Sequence, residues 1–221
     1  MKIKLHFFSI IFSVIFIFND INGQPLPKKQ VTENDLNEIH FKKIHKVDSS
    51  IVKYFLFCKP YFAEIPYDRI KIKKKKQLIP LTTVPNPLNL FRFKKNWSYA
   101  IKISTKTIPI LTPILFDSLS LEGKLGVLAH ELSHVSDFHN HTRGYLIKAF
   151  FWHLNPRKID IFEYNTDFIC INHGMGYQLL AWSMDTSILN GKGTMKPPFK
   201  NERYMFPATI KDFIEKSSIY K

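Results

Sequence analysis

Apolar positions at helical spacing first appear at Leu36, Ile39, Phe41, Ile44, Val47 and Ile51. They predict one helix over residues 31 to 57, with a break near Asp48-Ser49-Ser50 and a capping signal in Thr32 and Asp35. Between Pro60 and Thr112 six prolines (60, 66, 80, 85, 87 and 109) forbid long helices. Alternating stretches there, Tyr67 to Lys73 and Ser98 to Ser104, predict strands of a small sheet. From Tyr99 to Ile103 apolar and polar residues alternate as on a half-exposed or edge strand. A strong helix follows, capped by Ser120 and running through Val135. Asn140, Gly144 and Pro156 mark a turn region. Further helices are expected at 160–173, ending at Gly174, then at 177–187 and 208–217, with a loop at 191–198. The fold class read from this order is α+β: a small mixed or antiparallel sheet packed on several α-helices.

Residues 1–23 fall outside that pattern. Met1-Lys2-Ile3-Lys4 is followed by an apolar run from Phe7 to Phe18 and a polar exit ending at Gly23. This is the layout of a secretory signal peptide. The run is short of the roughly 20 residues of a membrane span, so export to a periplasmic or extracellular space is expected; an uncleaved N-terminal anchor is the alternative. Residues 24–221 then form a single domain. Export leaves two readings for Cys58 and Cys170, one disulfide or two buried thiols. With only two cysteines and no CxxC pair, a cysteine-based structural zinc site is excluded.

The 221-residue chain carries 32 Lys plus Arg against 18 Asp plus Glu, a formal net charge of +14. The surplus is uneven. Residues 24–110 hold 18 Lys/Arg against 6 Asp/Glu, and residues 111–221 hold 12 against 11. The cluster Lys71 to Lys76 lacks any accompanying RNP, helix-turn-helix or zinc-finger pattern. Nucleic acid is therefore not an expected partner. Peripheral contact with an anionic membrane or envelope surface is compatible with the basic half.

The chemistry lies in the other half. Residues 130 to 134 read His-Glu-Leu-Ser-His. On a helix, positions i and i+4 share a face, so His130 and His134 can reach one metal ion while Glu131 stands beside it as a general base. A catalytic zinc site needs a third protein ligand. The extended metzincin spacing fails, since Asp137 and Asn140 stand where Gly and His or Asp are required. His139 and His141 are near misses. Residues 163 to 167, Glu-Tyr-Asn-Thr-Asp, lie inside the helix expected from Asp160, where Glu163 and Asp167 share a face at i and i+4. There Glu163 can bind zinc and Asp167 can accept the N–H of a ligand histidine. Tyr204, Arg203, His153 and Arg143 are candidates for stabilising an oxyanion.

The run Val127 to His134 and the segment Glu163 to Asp167 make the chain resemble the gluzincin clan of zinc metallopeptidases, closest to those with HExxH on one helix and ExxxD on the next. The resemblance covers residues 98 to 185 and is specific at the motif level. It implies a zincin-like domain that binds one zinc ion through His130, His134 and Glu163. Glu131 would be the general base and Asp167 the support of a ligand. It also implies an edge strand before the zinc-binding helix that pairs with an extended peptide substrate, a role Ser98 to Ser104 could fill. The expected function is hydrolysis of peptide bonds in a peptide or protein substrate. The alternative is an exported zinc-binding or interaction domain on the same scaffold, without peptidase activity.

Overall fold

The computed structural model describes residues 24–39, 47–189 and 203–221. The expected signal peptide, part of the first expected helix and the 191–198 loop lie outside the described residues.

The first helical stretch is two short helices, α1 (Glu33–Asn37) and α2 (Val52–Cys58). Thr32 and Asp35 close the expected capping box on α1. The break falls where Asp48 accepts hydrogen bonds from the Ser50 backbone and hydroxyl. Just before it, Val47 bridges Ile72. A helix cannot pass through a residue recruited to a sheet edge, and this explains the division.

Three strands follow: β1 (Ile70–Lys75), β2 (Leu81–Pro85) and β3 (Tyr99–Ser104). Their order is β1-β3-β2, with β1 parallel and β2 antiparallel to β3. The sheet is therefore mixed, and the fold is α+β. One expectation is corrected here. The strand preceding the motif helix, β3, is central and not an edge. Alternation reports which face of a strand is buried and is silent about lateral neighbours. β2 is an edge strand, and Pro85 at its end suits that place because proline cannot donate to a ladder.

Helix α3 (Leu121–Asn140) is the spine of the other layer. The Ser120 side chain accepts from the Gly123 N–H at 3.0 Å, the expected cap. Almost all of its length from Gly123 to Phe138 is buried, among α2, β2, α5 and α6. The closest approach is at Gly126, where a Cβ would lie 2.0 Å from the Gln178 carbonyl oxygen.

The turn region after α3 contains an unexpected helix, α4 (Arg143–Trp152). Gly144 near its start reads as a breaker, and its Thr142 cap makes no side-chain hydrogen bond. Helix α5 (Pro156–Cys170) begins four residues earlier than expected. Pro156 opens it at the first helical position, where no N–H is needed, and Asn155 caps it. A π-helical turn at Ile171–Met175 leads to α6 (Gly176–Leu189), broken by Gly174 at φ +82°. Helix α7 (Pro207–Lys216) closes the chain near its expected place.

Cys58 and Cys170 are free, fully buried thiols, so the structure takes the second of the two readings. Burial raises both thiol pKa values, which makes them unreactive core groups. No helix among the described residues is long and apolar enough to cross a membrane.

Candidate metal centre

The helical period places His130 and His134 on one face of α3, and packing turns that face toward α5. Glu163, two turns into α5, points back at both. Its Oε2 lies 3.2 Å from His130 Nε2 and 3.3 Å from His134 Nε2. One ligand atom from each of the three residues falls within 4.8 Å of the others, and all three side chains are buried. These residues could hold a metal ion.

The surrounding hydrogen bonds settle which ring nitrogens face inward. His130 Nδ1 lies 2.7 Å from Asp167 Oδ1, and the other Asp167 oxygen accepts from the Met205 N–H. The Thr166 hydroxyl donates to the Phe162 carbonyl at 2.9 Å. Its oxygen is then free to accept from His134 Nδ1, 3.1 Å away. With both Nδ1 atoms assigned as donors, both Nε2 atoms present lone pairs toward Glu163. Three lone-pair atoms that close in a buried site favour a shared cation or a proton among them. Burial opposes a charge on His130, but Asp167 and Glu163 outweigh it and push its pKa up to about 10. Burial likewise opposes ionisation of Glu163, and the two histidines outweigh it, holding that carboxyl well below its ordinary range.

Glu131 is different. It is buried, and its Oε2 has no hydrogen-bond partner, a state shared among the described residues only with Gln178 Oε1. Burial raises its pKa, against the pull of His134 and His130. An unpartnered buried carboxylate oxygen costs stability and calls for an explanation in function. The Thr83 hydroxyl on β2 donates to the Glu131 carbonyl at 3.1 Å, tying the edge strand to this turn of α3.

Aromatic rings form the walls. Phe162 stacks on His134 at 5.0 Å, and Trp182 and Tyr204 lie 5.2 and 5.6 Å from His130. Although 42% of Tyr204 is exposed, its hydroxyl sits in dense surroundings near Glu163, Glu131 and Asp167. Burial and those charges raise its pKa well above the phenol range.

The other candidates lie elsewhere. His139 bonds the Tyr99 hydroxyl at 3.2 Å, and His141 turns to Asp137 and stacks on Tyr145. Arg203 pairs with Asp160 at 2.7 Å, Arg143 donates to the Arg92 carbonyl, and His153 Nδ1 faces the Ala149 carbonyl. Of the four oxyanion candidates, Tyr204 alone lies against a ligand ring. Thr166, Phe162 and Trp182 were not singled out by sequence. Only Thr166 had a local signal, since it lies between Glu163 and Asp167 four residues after Phe162.

No protein-family model matches this chain, and no curated protein or solved structure is detectably similar to it.

Proposed function

We propose that the protein is an exported zinc metallopeptidase with a zincin-like domain. The observation that carries this reading is the convergence of His130, His134 and Glu163 beside Glu131, one of whose carboxylate oxygens has no hydrogen-bond partner. Two imidazole nitrogens and one carboxylate oxygen are a donor set suited to zinc, and three protein ligands leave a position open, as catalytic sites do. The leader at 1–23 supports export to a periplasmic or extracellular space. When bound, zinc supplies Lewis acidity, polarising a carbonyl and lowering the pKa of water from about 16 to about 7.

The chain's own residues do the rest. Asp167 and Thr166 orient the two rings. Glu131 takes the proton of the attacking water and delivers it to the leaving amine nitrogen. The Tyr204 hydroxyl stays protonated, and it is the candidate donor to the charge developing on the carbonyl oxygen. No described strand lies beside the outer side of β2, and β2 is fastened to α3 at Glu131. An extended peptide substrate would add there, at β2 and not at Ser98 to Ser104.

The test is elemental analysis of the purified protein with a peptide-library cleavage assay. Wild type is expected to hold about one zinc per chain and to cleave. Glu163→Ala and His134→Ala should lose the metal, and full occupancy in Glu163→Ala would refute the ligand assignment. If wild type holds zinc and cleaves nothing, the protein is a zinc-binding or interaction domain instead.

A further inference from the structure

Helix α4 is largely apolar, its only charges being Arg143 and Lys148, a composition that normally marks a mostly buried helix. It is not so buried. One face packs Leu146 and Ala149 into the core, with Tyr145 and Trp152 against it. The opposite face leaves Ile147, Phe150 and Phe151 in solvent, with Phe150 69% exposed, and Leu154 in the turn just after the helix is exposed as well. The three helical positions follow i, i+3, i+4 spacing and share one face.

A second apolar group stands next to it. The turn at Pro87–Leu90 packs on α4, and the Arg143 guanidinium reaches the Arg92 carbonyl at 3.0 Å. From this turn and the residues after it Leu88, Phe91 and Phe93 project outward, Phe91 being 85% exposed. The segment is firmly held: buried Asn89 exchanges two hydrogen bonds with the Ser98 backbone, each 3.0 Å. Exposed phenylalanines on a fixed turn and a fixed helix are costly in water, and such a patch marks an interaction surface.

Charge identifies the occupant. Residues 86–96 and 141–158 contain seven Lys/Arg and no Asp or Glu. Beside the turn lies an open cleft of about 580 Å³ lined by Arg69, Lys71, Asn86, Arg92, Asn96 and Ser98. Arg69 is partly engaged, by Asp68 at 3.4 Å and Asn96 at 3.2 Å. Lys73 and Lys75 continue from Lys71 along the same exposed face of β1. Apolar rings surrounded by cations, beside a basic cleft, complement the acyl and phosphate layers of an anionic bilayer.

We propose that this surface seats the protein on an anionic phospholipid bilayer. The Phe91, Phe93, Phe150 and Phe151 rings enter the acyl boundary, and the cleft takes a lipid phosphate. The inner face of the same helix lies beside the candidate metal site: Trp152 is 5.9 Å from Phe162, which stacks on His134. Seating here would bring that centre close to the bilayer surface. The proposal does not depend on the metal being zinc or on catalysis.

The experiment uses the full chain with an environment-sensitive nitrobenzoxadiazole dye on Phe151→Cys, and on Lys211→Cys as a control. The native cysteines are buried and escape labelling. Circular dichroism establishes that both labelled chains fold as wild type. Adding phosphatidylglycerol/phosphatidylcholine vesicles should brighten and blue-shift the dye at 151, leave the dye at 211 unchanged, and lose effect as salt rises. Each basic residue near an anionic surface is worth roughly fivefold in binding. Changing Arg92, Lys94, Lys95 and Lys148 to Gln should therefore raise the lipid needed for half response at least about tenfold. A dye at 151 that ignores these vesicles overturns the proposal. So does an equal response to pure phosphatidylcholine, a response to protein concentration without lipid (a second copy), or a dye already shielded in the free chain (a covering segment of its own).

Discussion

Two clusters on α3 use the same residue types and differ in what they leave undone. At the candidate metal site, His130, His134 and Glu163 converge, and Glu131 keeps an oxygen without a partner. Two residues past His134, Ser136 donates to Glu64 Oε1 at 2.5 Å, and His173 Nε2 lies 3.1 Å from the same oxygen. Phe62 stacks on His173 at 4.5 Å, and His173 Nδ1 faces the Ile169 carbonyl at 2.8 Å. Every group of this second cluster has a partner within the chain, and a third of the Glu64 side chain is open to water. It fastens α3 to the π-helical turn and asks for nothing more. The candidate metal site is buried, its three donor atoms close on one another, and beside them Glu131 Oε2 has no partner at all. Incomplete satisfaction under burial, more than the presence of His and Glu, separates a chemical site from a structural clasp.

The sharpest way to break this comparison is Glu131→Gln. Peptidase activity should fall by about 10²–10⁴ while zinc content, read by elemental analysis, stays at the wild-type level. Loss of both would make Glu131 a structural residue. Asp167→Asn comes next. It leaves the donor set intact but weakens the grip on the His130 ring, so zinc affinity measured by chelator competition should fall about 10–100-fold. Glu64→Gln should leave that affinity unchanged.

Gly126→Ala acts on both clusters at once, because α3 must separate from α6 to admit the methyl group. It should destabilise the protein by about 1–3 kcal/mol in urea unfolding, with the loss shared by zinc-loaded and zinc-free protein.

The smallest effect belongs to Glu64. Burial raises its pKa, but His173 and Ser136 outweigh that and hold it below its ordinary 4.5. Its contribution is therefore complete above pH 4.5 and is lost as pH falls through the lowered native value. Exposure keeps it under about 1 kcal/mol. Acid unfolding of Glu64→Gln should lack that share of the pH dependence; an unchanged profile would show that the clasp carries no linkage.

The parts of the site readable in sequence are those set by local periodicity. His130 and His134 share a face because a helix repeats every 3.6 residues, and Glu163 and Asp167 share one for the same reason. Ser120, Thr32 and Asp35 announce their caps because capping is a matter of three neighbouring residues. Local signals failed where the deciding partner was distant. Gly144 and Pro156 read as breakers, yet a glycine can sit in a helix whose neighbours pack well, and a proline is at home in a first turn. Alternation in Tyr99 to Ser104 showed which side chains are buried and could not show that strands lie on both sides.

The chain by itself determined which residues could bind a metal, since donor chemistry and helical spacing are properties of the residues in order. Only the tertiary structure decided that α3 and α5 face each other, that Thr166 completes the second histidine, that Tyr204 returns from far along the chain to the ligand rings, and that β2 is the free edge. Each of these joins segments remote in sequence, and the packing free energy that selects them belongs to the whole core and to no single segment.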